Sequence, residues 1–183
     1  LKHIGPSLFM PFTTRPILLA ILFLLLLTMS SLLLSWNVGG PRLLVLHAAA
    51  TWALVGLIWV VQLVLYPQFA DIGSRFKSYH REYTRRITWV VLPLMGTELI
   101  TAILMCMQAP ASIPSSQAWG GLGLVVVAWV STVAVAVPLH DRLECGFDPT
   151  VACRLLYVNW LRTAVWSMRG ALVAAWLVDA LKV

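Results

Sequence analysis

The sequence predicts an all-α, polytopic membrane protein, and three observations carry that prediction. Hydrophobic residues make up 60% of the 183-residue chain and charged residues only 11%. Several apolar runs reach the roughly 18–20 residues needed to cross a bilayer, where a helix satisfies its own backbone hydrogen bonds. The basic residues flank these runs, so the formal net charge of +6 reads as a topology signal and not as a nucleic-acid surface. The expected architecture is a four-helix transmembrane bundle over 43–183. One peripheral N-terminal transmembrane helix and an amphipathic interfacial helix complete it.

Residues 1–16 form an expected cytoplasmic tail with Lys2, Arg15, Pro6, Pro11 and Pro16. The run 17–36 is nearly pure leucine and isoleucine, with Thr28, Ser30, Ser31 and Ser35 its only polar side chains. It has no polar stripe, so it reads as a lipid-facing docking helix. No small-x-small cleavage site follows it, which favours a retained span over a signal peptide. Asn37-Val-Gly-Gly-Pro41 is a turn.

The second span covers 43–69. His47, Thr51, Val55, Ile58 and Gln62 share one helical face, and Pro67 ends it. Over 70–86 Ile72, Phe76, Tyr79 and Tyr83 recur at helical spacing. Arg75, Lys77, Arg81, Arg85 and Arg86 make this segment basic, the pattern of an interfacial helix contacting anionic lipid. The third span, 87–109, carries Pro93 and, near its middle, Glu98. An uncharged loop over 110–121 leads to the fourth span, 122–140, whose Trp129, Thr132, Ala136 and His140 share a face. A polar loop precedes the fifth span, 155–183. No convincing internal repeat is seen.

Basic residues set the orientation. Lys2, Arg15, Arg75, Lys77, Arg81, Arg85, Arg86, Arg142 and Arg154 fall on one side, and Arg42 and Lys182 on the other. The expectation is a bacterial cytoplasmic (inner) membrane protein with its N-terminus cytoplasmic and its C-terminus periplasmic.

The fifth span contains YVNWLRTAVWSMRG, 157–170, which places Asn159, Arg162, Trp166 and Arg169 within about a quarter-turn of one face. Charges at bilayer depth cost about 2.5–3.5 kcal/mol each on insertion scales and normally pair inside a bundle. Glu98 is the acid deep within another span. Counted from the start of each helix, Glu98 lies about 16 Å and Arg169 about 21 Å along, so a buried Glu98–Arg169 pair is expected, with Arg162 and Asn159 lining the inner half. The cluster serves either as an interhelical staple or as a relay, clamp or ion path.

Two other constellations have weaker signals. His140 and His80 belong at the cytoplasmic boundary, and with Glu98 they supply the ingredients of a metal site without a diagnostic spacing. His47 is followed by Ala48, Ala49 and Ala50. That leaves room either for close helix packing or for haem or chlorophyll with the imidazole as axial ligand. Cys106, Cys145 and Cys153 form no CxxC and no disulfide framework. No nucleotide loop, Ser-His-Asp set or HExxH motif is present.

Across spans two to five the chain resembles a family of small four-span bacterial membrane proteins. The residues that carry the likeness begin with Trp52, Gly56-Leu-Ile-Trp59, Gln62 and Tyr66-Pro67-x-Phe69. Arg85-Arg86-x-Thr88 and Pro93-x-Met95-x-x-Glu98 continue it, then Pro138-x-His140-x-x-Leu143-x-x-Gly146-Phe147. The most specific stretch is Asn159-Trp160-x-Arg162-Thr163-x-x-Trp166-x-x-Arg169-Gly170. More distantly the chain is similar to anthrone-oxygenase-like membrane proteins, a fold-level analogy. The resemblance implies histidines where this chain has Leu65 and Tyr83, so a metal set built on them has lost half its members here. Lost ligands, an added first span and deep tryptophans point to a non-catalytic integral subunit of a larger respiratory or photosynthetic membrane assembly. Its expected partners are other membrane subunits and anionic lipids. The rival expectation is a metal-dependent membrane oxidoreductase using His140, His80 and Glu98.

Overall fold

The computed structural model describes residues 40–108, 110 and 113–182. The tail 1–16 and the span 17–36 lie outside the described residues. The described residues are helical, without a strand among them. Three helical stretches, Gly40–Asp71, Gly73–Gln108 and Ser115–Leu143, are long and apolar enough to cross a membrane.

Helix α1, Gly40–Val60, buries Leu44, His47, Thr51, Leu54 and Ile58, one stripe at helical spacing. Its last turns widen into a π-helical turn, Val61–Leu65, then tighten into a 3-10 turn, Pro67–Asp71. Pro67 explains the widening. It has no N–H to donate, and its ring crowds the carbonyl four residues back, so the chain before it relaxes to the longer Tyr66 N–H to Val61 carbonyl bond of 3.0 Å. Gly73, at φ 66°, makes the turn into the next helix in a region that side chains rarely occupy.

Helix α2, Phe76–Gln108, is one uninterrupted element of 33 residues. The expected interfacial helix is therefore not a separate element from Phe76 onward, and Pro93 does not break the span. At 1.5 Å per residue α2 is about 50 Å long against a hydrocarbon core of about 30 Å. The excess length carries Lys77, Arg81, Glu82, Arg85 and Arg86. Apolar character therefore begins only after the first three turns.

Helix α3, Ser115–Ser131, starts earlier than the expected loop allows, with Pro114 as its N-cap. It passes through a second π turn, Thr132–Ala136, into α4, Val137–Leu143, which has Pro138 in its first turn. Helix α5, Pro149–Ala180, also starts early, because Asp148 Oδ1 accepts from the N–H groups of Thr150 (2.8 Å) and Val151 (3.1 Å). That is a full N-cap, with proline at N1.

The four long helices close a ring in which α1 and α3 each pack against both α2 and α5. The second helix pair repeats the plan of the first, which the sequence does not announce. The π turns begin at Val61 and Thr132, prolines stand at 67 and 138, and Glu98 answers to Arg169, each later position 71 after the earlier. Two of these related pairs touch: Phe76 and Phe147 meet edge to face at 5.1 Å, and Glu98 meets Arg169 at 3.4 Å.

Candidate functional site: a three-tier polar core

The central tier is built on Glu98, 1% exposed. Its Oε1 accepts from Thr51 Oγ1 at 2.8 Å and lies 3.4 Å from Arg169 Nε. Its Oε2 accepts from the Trp166 indole N–H at 3.0 Å. Helices α1, α2 and α5 thus converge on one carboxylate. Arg169 continues outward: its Nη2 bonds His47 Nε2, while His47 Nδ1 meets Thr101 Oγ1 at 2.7 Å. A guanidinium nitrogen can only donate, so His47 Nε2 is the acceptor and Nδ1–H is the donor, which makes the imidazole neutral.

Both nitrogens of His47 are engaged and its ring is fully buried over Trp176, with centroids 6.4 Å apart. In this arrangement it links α2 to α5, and both nitrogens are engaged, as the close-packing alternative for His47 requires and the axial-ligand alternative, to haem or chlorophyll, does not. Ala49 is exposed, while Ala48 and Ala50 are buried and serve close packing. Gly121 on α3 does likewise. A Cβ there would stand 2.6 Å from Arg169 Nη1 and 3.0 Å from Trp176, so the arginine is seated on glycine backbone.

The second tier is amide-based. Asn159 Nδ2 donates to Gln62 Oε1 at 2.8 Å, and Asn159 Oδ1 accepts from Arg162 Nη1 at 3.1 Å. The Arg162 guanidinium lies 5.3 Å from the Trp166 ring centre, within cation–π range, and faces the Tyr66 hydroxyl.

The third tier sits at the end of the bundle near the 72–76 and 144–149 turns. Tyr66 Oη lies 2.9 Å from His140 Nε2, and His140 Nδ1 lies 3.0 Å from His80 Nε2. Phe69, Phe76 and Tyr83 wall the two imidazoles. Leu65 and Tyr83, where the resemblance implies histidines, both pack in this layer.

The structure therefore brings Glu98 to Arg169, Asn159 to Arg162, and His80 to His140. It does not bring Glu98 to the histidines. His80 and Glu98 share α2, and 18 intervening rises separate them by about 27 Å. The expected three-ligand set divides for that reason, and among the described residues no group of three or more His, Cys, Asp or Glu is placed to hold a metal. Arg75, Lys77 and Arg81 are exposed. Arg85 and Arg86 both reach Glu82, with Arg85 Nη2 at 2.7 Å.

Sequence reasoning did not find the Trp166–Glu98, Thr51–Glu98, Gln62–Asn159 and Tyr66–His140 bonds. The signal for the α1 members was present, since His47, Thr51 and Gln62 share the stripe that faces the bundle. Their partners depend on rotation about three other helices, which spacing alone leaves open.

Fold and site together define a helical protein with three helices long and apolar enough to cross a membrane and with a charged interior. Comparison with protein-family models, curated proteins and solved structures finds no match for this chain.

Proposed function

We propose that the chain is a non-catalytic integral membrane subunit that docks in and stabilises a larger respiratory or photosynthetic membrane assembly. In this reading α5 is the fourth span of the bundle. It sits in the bacterial cytoplasmic membrane with the 72–86 and 141–154 end facing the cytoplasm. Likeness to the small four-span family remains part of the proposal. The carrying observation is where the polar and aromatic groups point. Glu98, His47, Thr51 and Trp166 are closed on one another, which suits a staple, while large indoles face outward. Trp52, Trp59 and Trp160 are 48%, 38% and 45% exposed. They form a ridge along the α1–α5 seam, where Trp59 meets Trp160 edge to face at 5.9 Å and donates to Ser167 Oγ at 3.1 Å. Trp52 lies about 18 Å from the start of α1, deeper than an interfacial aromatic belt. Rigid aromatic anchors of this kind are the usual centres of protein–protein contacts.

Gentle extraction from the native membrane, followed by mass spectrometry and absorption spectroscopy of the intact particle, tests the reading. A large particle with stoichiometric partner chains is expected, and Trp59→Ala with Trp160→Ala should release this chain from it. A lone 20.3 kDa chain or its homo-oligomer would overturn the proposal.

A second reading, a metal-dependent membrane oxidoreductase, is favoured by one observation. His80 and His140 present ring nitrogens 3.0 Å apart, near the separation of two ligands on one ion. Stoichiometric metal in the purified chain, lost in His140→Ala, is the outcome that would select it.

The basic segment 75–86 supports anionic-lipid contact, with Glu82 holding two of its five cations in surface pairs. Glu82→Gln should raise retention of anionic phospholipid by about fivefold, since one surface charge contributes about 1 kcal/mol. Native mass spectrometry of lipid adducts measures it, and unchanged retention would remove Arg85 and Arg86 from the contact.

A further inference from the structure

The charges inside the bundle do not balance. Glu98 answers Arg169, and His47 is neutral by its bonding. Arg162, 6% exposed, has no carboxylate within ion-pair distance among the described residues. The internal repeat supplies none either: the position 71 before Arg162 is Val91. An unpaired cation buried in a bundle is costly and is normally compensated.

The surroundings of Arg162 are those that receive an anion. Its Nε is buried without a hydrogen-bond partner, while its Nη1 donates to Asn159 Oδ1. A guanidinium N–H group donates and cannot accept. An orphaned donor on an uncompensated positive charge asks for a ligand that only accepts.

We propose that Arg162 is the centre of a buried binding site for a small monovalent anion of the halide type, which supplies the missing counter-charge of the bundle. The ligand must be small, because the site is walled by Trp166 and the Gln62–Asn159 amides. It must also be singly charged, because one positive charge is in excess. Tyr66 and His140 face Arg162 from α1 and α4 and Tyr83 from α2, and none of these brings a fixed negative charge. This inference goes beyond the subunit reading and does not depend on it.

The test uses the full chain in lipid nanodiscs, with chloride exchanged against gluconate, an anion too large for the site. Chloride should raise the midpoint of thermal unfolding by about 5 °C at saturation. Arg162→Gln should abolish that dependence, while Arg142→Gln, at an exposed arginine, should keep it. Equal midpoints in the two salts, or a chloride response that survives Arg162→Gln, would overturn the proposal. If Arg162→Gln does not fold, crystals of the unaltered chain grown in bromide decide the matter. An anomalous peak within hydrogen-bond distance of Arg162 Nε sustains the site, and its absence there overturns it.

Discussion

Replacing Glu98 by alanine is expected to cost about 3–5 kcal/mol of stability, the range for removing one member of a buried ion pair. The carboxylate accepts from Thr51 and Trp166 and sits against Arg169, so the variant leaves a buried guanidinium with only a neutral imidazole. Arg169→Met should be comparably harmful, because it leaves the carboxylate uncompensated. The double variant Glu98→Met with Arg169→Met should recover most of the loss, since a buried pair replaced by well-packed apolar groups is often neutral or better. Reversible unfolding in mixed micelles, with the double-mutant cycle drawn from the midpoints, measures the coupling. Additive losses would mean that Glu98 and Arg169 are not coupled.

Gly121→Leu should destabilise by about 1–3 kcal/mol, the usual cost of overpacking. Its effect should depend on the ion pair. A Cβ at this position lies 2.6 Å from Arg169 Nη1 and 3.0 Å from Trp176. Arg169 cannot swing aside freely, because Glu98 and His47 hold its other nitrogens. Gly123, two residues along the same helix, has nothing within 4 Å of a built Cβ. Gly123→Ala should therefore stabilise by about 0.5–1 kcal/mol through helix propensity alone. Equal responses at the two glycines, read by the same unfolding assay, would remove the close approach of α3 to Arg169 from the account.

Part of the core was legible before folding. Charged groups at bilayer depth must face inward and pair, and helix rise is fixed, so counting residues put Glu98 and Arg169 at compatible depths. The same counting could have excluded Glu98 from the histidine pair, because His80 and Glu98 lie on one helix. The sequence hides that link, because 70–86 reads as a separate interfacial element. Only the structure shows α2 running unbroken through both segments, since basic residues are tolerated in a helix that outlasts the hydrocarbon core.

What the sequence by itself determined is the class and the inventory: an all-helical membrane chain, with Glu98, Arg162 and Arg169 in segments that must bury them. It determined this because hydrophobic run length and the cost of buried charge are properties of composition and local order. What only the tertiary structure decided is the set of partners. The rotation of each helix about its axis set the Trp166–Glu98 bond, the engagement of both His47 nitrogens, the Tyr66–His140–His80 row and the isolation of Arg162. Rotation is fixed by packing between helices, and residue spacing along one helix carries no record of it.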